Sequence, residues 1–188
     1  MLLVKALTSL LSLVIVVVAG LAVLGGLLAF TGSPDACVVR VTDSSSAASN
    51  ELKAAWRTFE SQAARGSATL TISEAQATSR GVEHLDEKDV PVDDLQVYFC
   101  QDGYAEASGK IDAAGLKAKV IVRGTLDLSG DKPRIEIDSV RAGNLPSFVA
   151  KPAVDVILDT GDFRTLDLDV NLTTIEFTDG TARVTGAP

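Results

Sequence analysis

Between Leu116 and Leu128 the even positions read Leu116, Ala118, Val120, Val122, Gly124, Leu126 and Leu128. The odd positions read Lys117, Lys119, Ile121, Arg123, Thr125 and Asp127. Successive side chains of a strand point to opposite faces, so this is a long strand with one dry and one wet face, broken only by Ile121. Ser129-Gly130-Asp131 has turn chemistry, and the alternation resumes with Ile135 and Ile137. A slip of one residue would put the whole apolar set in water, which fixes the register.

The same reading extends along the chain. Cys37 to Thr42 is rich in β-branched residues and predicts a strand. Ala48, Leu52, Ala55, Trp56, Phe59 and Ala63 fall on one face of a helix that Gly66 ends. Ala68, Leu70 and Ile72 predict a short strand. Ser73 and Gln76 then fit a capping box, opening a second helix to about Leu85 with Ala75, Thr78, Val82 and Leu85 inward. Leu95, Val97 and Phe99 predict a strand that turns at Asp102-Gly103 and returns with Ala105, Ala107, Gly109 and Ile111 on one face. Leu145 to Asp159 predicts a third helix, with Pro146 in its first turn and Pro152 kinking or splitting it. Leu166, Leu168, Val170 and Leu172 alternate with polar residues. The phase changes before Ile175 and Phe177, which predicts a bulge near Thr173-Thr174, and Asp179-Gly180 turns the chain back.

Residues 6–30 carry no charge. As a helix they would measure about 37 Å, against a hydrocarbon core of roughly 30 Å. The stretch exceeds the apolar region of a cleavable signal and lacks an evident Ala-x-Ala site, so it reads as a retained membrane anchor. Lys5 before it and Asp35 after it suggest the N-terminus inside and the domain outside the cytoplasm. Ala36-Cys37 follows Ser33, Pro34 and Asp35, a poor context for lipidation.

The expected architecture is therefore α+β: an N-terminal transmembrane helix followed by a curled antiparallel sheet of about seven strands packed with three helices. Residues 1–34 form anchor and linker; residues 35–188 form one extracytoplasmic domain.

Charge and chemistry narrow the function. Without Lys5 the 17 basic residues become 16, against 25 acidic ones, a balance of −9. No basic cluster exists, which argues against nucleic acid and against a polybasic grip on anionic headgroups. The single His84 lacks a recognisable nucleophile or orienter and reads as a surface residue near a helix end, so no enzyme, catalytic residue or cofactor is expected. Glu136/Asp138 and Asp167/Asp169 lie two apart on wet strand faces. They offer oxygen ligands for Ca²⁺, but without a loop motif they read as solvated, and no metal site is assigned. Asn171-Leu172-Thr173 matches a glycosylation acceptor, a weak pattern. Cys37 and Cys100 are an allowed disulfide in an oxidising compartment, with two buried thiols as the alternative.

The third helix has one narrow polar stripe, Ser147, Lys151, Asp155 and Asp159, and is otherwise apolar. Facing rows of Val, Leu and Ile, it leaves two readings: a closed core, or a groove for an acyl chain. The residues expected to line such a groove are Phe148, Val149, Val154, Ile157, Val122 and Leu168.

The segments "ATLTISEAQ" and "AGNLPSFVAKPAVDVIL" resemble those of the LmeA-like and YpmS-like membrane-anchored envelope proteins, relatives of the tubular lipid-binding (TULIP-like) domains. Leu70, Thr71, Ser73 and Glu74 loosely match a helix-opening "LT-x-x-E". Gly143, Leu145 and Pro146 match a "G-x-(L/V)-P" that opens a later helix. The resemblance covers roughly residues 48–186 and implies phospholipid binding outside a membrane. It supplies no catalytic residues, and the cysteine pair is not part of its pattern. The leading expectation is an anchored extracytoplasmic lipid-binding or lipid-transfer domain. The alternative is a closed-core envelope module whose acidic sheet face meets a protein partner.

Overall fold

A computed structural model describes residues 34–113, 116–130, 133–143 and 170–188. Helix α1 spans Ser46–Ala63, strand β1 Ala68–Ser73, helix α2 Glu74–Glu87 and strand β2 Val92–Phe99. Strands β3 (Ala105–Ala113), β4 (Leu116–Asp127), β5 (Arg134–Ala142), β6 (Asn171–Thr178) and β7 (Thr181–Ala187) follow. The strands form two antiparallel sheets, one in the order β1-β7-β6 and one in the order β2-β3-β4-β5.

This corrects the expected architecture. The strands do not make one curled sheet packed with three helices: there are two sheets, of three and four strands, neither closed, and two helices among the described residues. The division comes from β1, which passes over its sequence neighbour β2 and pairs with β7, Leu70 opposite Val184. Helix α2 fills the interval between β1 and β2. Alternation reveals a strand but not its partner, and this partner lies more than a hundred residues away. No described helix is long and apolar enough to cross a membrane. Residues 6–30, the expected third helix at 145–159 and Leu168 lie outside the described residues.

A second correction concerns Cys37 to Thr42. This stretch joins neither sheet; it crosses the molecule as an irregular strap tied down by side chains.

Local chemistry explains the other elements. Ser45 caps α1, its Oγ accepting from the Ala48 amide at 3.1 Å. The capping box of α2 forms in both directions: the Gln76 amide donates to Ser73 Oγ at 3.3 Å, and the Ser73 amide to Gln76 Oε1 at 3.1 Å. Gly103 takes φ 82° in the β2–β3 turn, a conformation that favours glycine. The bulge in β6 falls where the phase change places it, between Leu172 and Thr174. A further irregularity opposite Arg123 and Gly124 leaves Asp138 unmatched on β5. It brings Ile137 and Val140, three apart in sequence, onto one face with Val120 and Val122.

One core joins α1 to the three-stranded sheet through Phe59, Ala63, Ala68, Leu70, Val170, Leu172 and Val184. The approach is close: a Cβ on Gly186 would lie 2.7 Å from Phe59 Cζ. The two sheets meet where Phe99 stacks on Phe177 at 5.6 Å and where the Gly180 amide donates to the Phe99 carbonyl at 3.2 Å.

Candidate functional site: an apolar cleft behind a clamped strap

The wall of the site is a sheet edge closed by a helix. Residues four apart on a helix are about 6 Å apart along its axis, and residues two apart on a strand about 7 Å. Glu74 and Thr78 use this match. Glu74 Oε1 accepts from the Phe99 amide at 2.8 Å, and Thr78 Oγ1 from the Val97 amide at 2.9 Å. The buried residues of α2 are accordingly Glu74, Thr78 and Ser79, not a run of aliphatics. Of the four residues expected inward on this helix, Thr78 is fully buried; Ala75, Val82 and Leu85 are half-buried.

Two buried carboxylates then hold the strap. Glu74 receives one edge of the Arg40 guanidinium in a bidentate pair, Nε at 2.6 Å and Nη2 at 2.9 Å, and Arg40 Nη2 also reaches Asp179 at 2.6 Å. The Glu74 hydrogen bond first, and the Asp179 bond next, raise the Arg40 pKa, so its charge is secure. Glu106 is wholly buried. Its Oε1 accepts from Arg123 Nε at 3.2 Å, Arg123 Nη2 at 3.1 Å and Arg141 Nη2 at 2.8 Å, and its Oε2 from the Cys37 amide at 2.6 Å. Arg123 also lies 3.8 Å over the Tyr104 ring. Every buried polar side-chain atom among the described residues has a partner.

Further ties complete the strap. Arg141 donates to the Asp35 carbonyl at 2.9 Å. The Gln96 side chain behaves like a neighbouring strand, accepting from the Thr42 amide at 2.7 Å and donating to the Thr42 carbonyl at 3.1 Å. The Ser45 amide donates to Ser79 Oγ at 3.0 Å. Cys37 and Cys100 are joined in a disulfide, with 6.1 Å between their Cα atoms.

Cys37, Cys100 and Glu106 have the spacing of a metal cluster. Their chemistry is already committed. The sulfurs are bonded to each other, and the carboxylate oxygens are occupied by a backbone amide and by two guanidinium groups, whose positive charge would repel a cation.

On the opposite face of β3 from Glu106 lies a cleft of about 450 Å³. Its floor is the four-stranded sheet, with Ala107, Val120, Val122 and Ile137 at the centre. Gly81 and Leu85 of α2 form one side, and Ile175 and Phe177 of β6 another. Leu95 lies so near Gly81 that a Cβ there would be 2.7 Å from its Cδ2, which brings helix and sheet together at the rim. Glu106 and Ser108 also contribute to the boundary, but the carboxylate of Glu106 is bound on the strap side.

Val122 is the expected lining residue that the structure places, and it lies in this cleft. Phe148, Val149, Val154, Ile157 and Leu168 lie outside the described residues. Sequence reasoning missed Phe99, Phe177, Leu95 and Leu85 as members of one site. Alternation marked three of them as apolar strand positions, but not that the two sheets converge on them. It also missed Glu106, which sits on the face of β3 expected to be wet. Ile121, the single break in the β4 alternation, is fully buried on that same face and was the available signal. Glu136 and Asp138 are exposed, as a solvated face requires, while Asp167 and Asp169 lie outside the described residues. Asn171 begins β6 and is exposed. His84 is partly exposed, with Nδ1 3.5 Å from Glu87.

Compared with known protein families, curated proteins and solved structures, the chain matches none significantly.

Proposed function

We propose that this protein binds a lipid, or another long apolar molecule, in the cleft between the four-stranded sheet, α2 and β6. The observation that carries the reading is the lining: side chains from both sheets and a helix converge on about 450 Å³ and are almost wholly aliphatic or aromatic. That volume falls in the ordinary range for ligand sites. Burying about ten methylenes would contribute roughly 8 kcal/mol before ordering costs, enough to hold an acyl chain without a polar anchor. The uncharged stretch at residues 6–30 supports a membrane attachment, with the disulfide-bearing domain outside the cytoplasm. The resemblance of two short segments, at Leu70 to Glu74 and at Gly143 to Pro146, to those of tubular lipid-binding domains supports the same reading.

The test is mass spectrometry of organic extracts from purified native protein, paired with a fluorescent fatty-acid binding assay on delipidated protein. Co-extracted lipid at near-equimolar amount and saturable binding are expected. Neither lipid nor binding would overturn the reading.

A further inference from the structure

The strap has an outer edge as well as an inner one. Arg40 and Thr42 face inward, bound to Glu74, Asp179 and Gln96. The alternate residues, Val39 and Val41, are 97% and 84% exposed, and they are the exposed large hydrophobic side chains among the described residues. An isolated surface valine needs no explanation. These two share one edge, and their neighbours' ion pair and hydrogen bonds prevent that edge from rolling under. The disulfide and the Glu106 contact at Cys37 fix one end of the segment; the Ser45–Ser79 bond fixes the other. The chain thus presents two apolar side chains to the outside from a rigid support.

Their place in the chain identifies what they meet. Phe30 closes the uncharged stretch, nine residues before Val39. At full extension nine residues reach about 30 Å, and the strap already follows part of that path along the protein. We propose that Val39 and Val41 are the surface on which the domain rests against the bilayer. This rests on the membrane attachment proposed above. Two valines are too little apolar area to recruit a free protein. A tethered domain samples the surface at high effective concentration, so a small apolar contact suffices to orient it. The acidic balance of the domain argues against attraction to anionic headgroups as the driving force, so the contact needs no anionic lipid.

The experiment uses the full chain carrying Trp56→Phe, which removes the single native tryptophan. The protein is reconstituted into phosphatidylcholine nanodiscs with or without brominated acyl chains. A tryptophan is introduced by Val39→Trp, by Val41→Trp or, as a reference, by Gln62→Trp near the far end of α1. Incorporation into discs is measured first by size exclusion; failure there defeats the membrane attachment and with it this proposal. With incorporated protein, about twofold quenching by brominated lipid is expected at positions 39 and 41 and little at position 62. Unquenched emission at 39 and 41, or equal quenching at 62, overturns the docking surface while leaving the attachment intact. Emission changes at 39 that depend on protein concentration in unbrominated discs would assign the edge to a second copy, and would also overturn it. Because both valines are almost fully exposed, the substitutions leave the packed interior untouched.

Discussion

Glu106 is the residue on which the strap side of the molecule converges. A buried carboxylate is tolerated only when its oxygens are satisfied, and here three guanidinium N–H groups and one amide satisfy them. Arg123 and Arg141 keep more than a third of their surface in water, so part of the charge interaction is screened. Glu106→Gln keeps the shape, loses the charge and presents an NH2 to donors. It is expected to cost about 1–3 kcal/mol, read from the midpoint of urea unfolding at constant slope. Glu83, half-buried where α2 faces α1, makes a different case. Its hydrogen bonds with Lys53 first and Ser49 second lower its pKa from 4.5 to about 2. A depressed carboxyl contributes stability that is complete above the unfolded value of 4.5 and disappears as pH falls through about 2. A carboxyl-detected NMR titration should place the Glu83 midpoint near 2, and a midpoint near 4.5 would show the contacts absent in solution.

At the scale of elements, the contact of α2 with β2 is a polar seam. Thr78 is wholly buried, and its hydroxyl satisfies the amide of Val97 on a sheet edge. Thr78→Val preserves the volume and orphans that amide, so a loss of about 1–3 kcal/mol is expected in the same unfolding measurement. A change near zero would mean that water reaches the edge. The strap is an element without secondary structure. Its disulfide closes a sequence separation of 63 residues, for which the chain-entropy model gives about 4 kcal/mol. The pair Cys37→Ser and Cys100→Ser should lower stability by about that amount and increase amide hydrogen exchange first at residues 37–44, while β3 and β4 remain protected. Helix and strand boundaries here were legible because caps, turns and alternation are local chemistry: Ser73 and Gln76, Asp102-Gly103 and the Thr173 bulge each act within a few residues. Val38, Val39 and Val41 give the strap the propensity of a strand, but none of the described strands pairs with it. Gln96, Glu106 and Glu74 supply the bonds instead.

At the scale of the whole molecule, the cleft exists because two sheets meet at Phe99 and Phe177 without closing into one barrel. Val122 stands on its floor, half-buried, opposite Ala107 and Val140. Val122→Trp would fill space that the proposed ligand uses. It should weaken fatty-acid binding by at least about tenfold, equivalent to about 1.4 kcal/mol, and shift stability by less than that. Equal losses in binding and stability would instead make Val122 a core residue of a closed interior. Of this site, the apolar strand faces and Val122 itself were visible in the sequence. The convergence of α2, β3, β4 and β6 was not, because it depends on which strands pair.

The chain alone determined the two described helices and the paired strands, the Asp102-Gly103 turn and the β6 bulge, which strand faces are apolar, and that the two cysteines could pair. It also made a strand of the strap and gave no sign of the irregularity at Arg123-Gly124. What it determined follows from side-chain periodicity and short-range hydrogen bonding, which operate over a few residues. Only the tertiary structure decided that β1 joins β7, that the strands divide into two sheets, and that Glu74 and Glu106 are buried clamps. Those outcomes depend on contacts between residues distant in sequence, where the free energy of pairing and desolvation is set by the partner, and a residue's own neighbours do not reveal who that partner is.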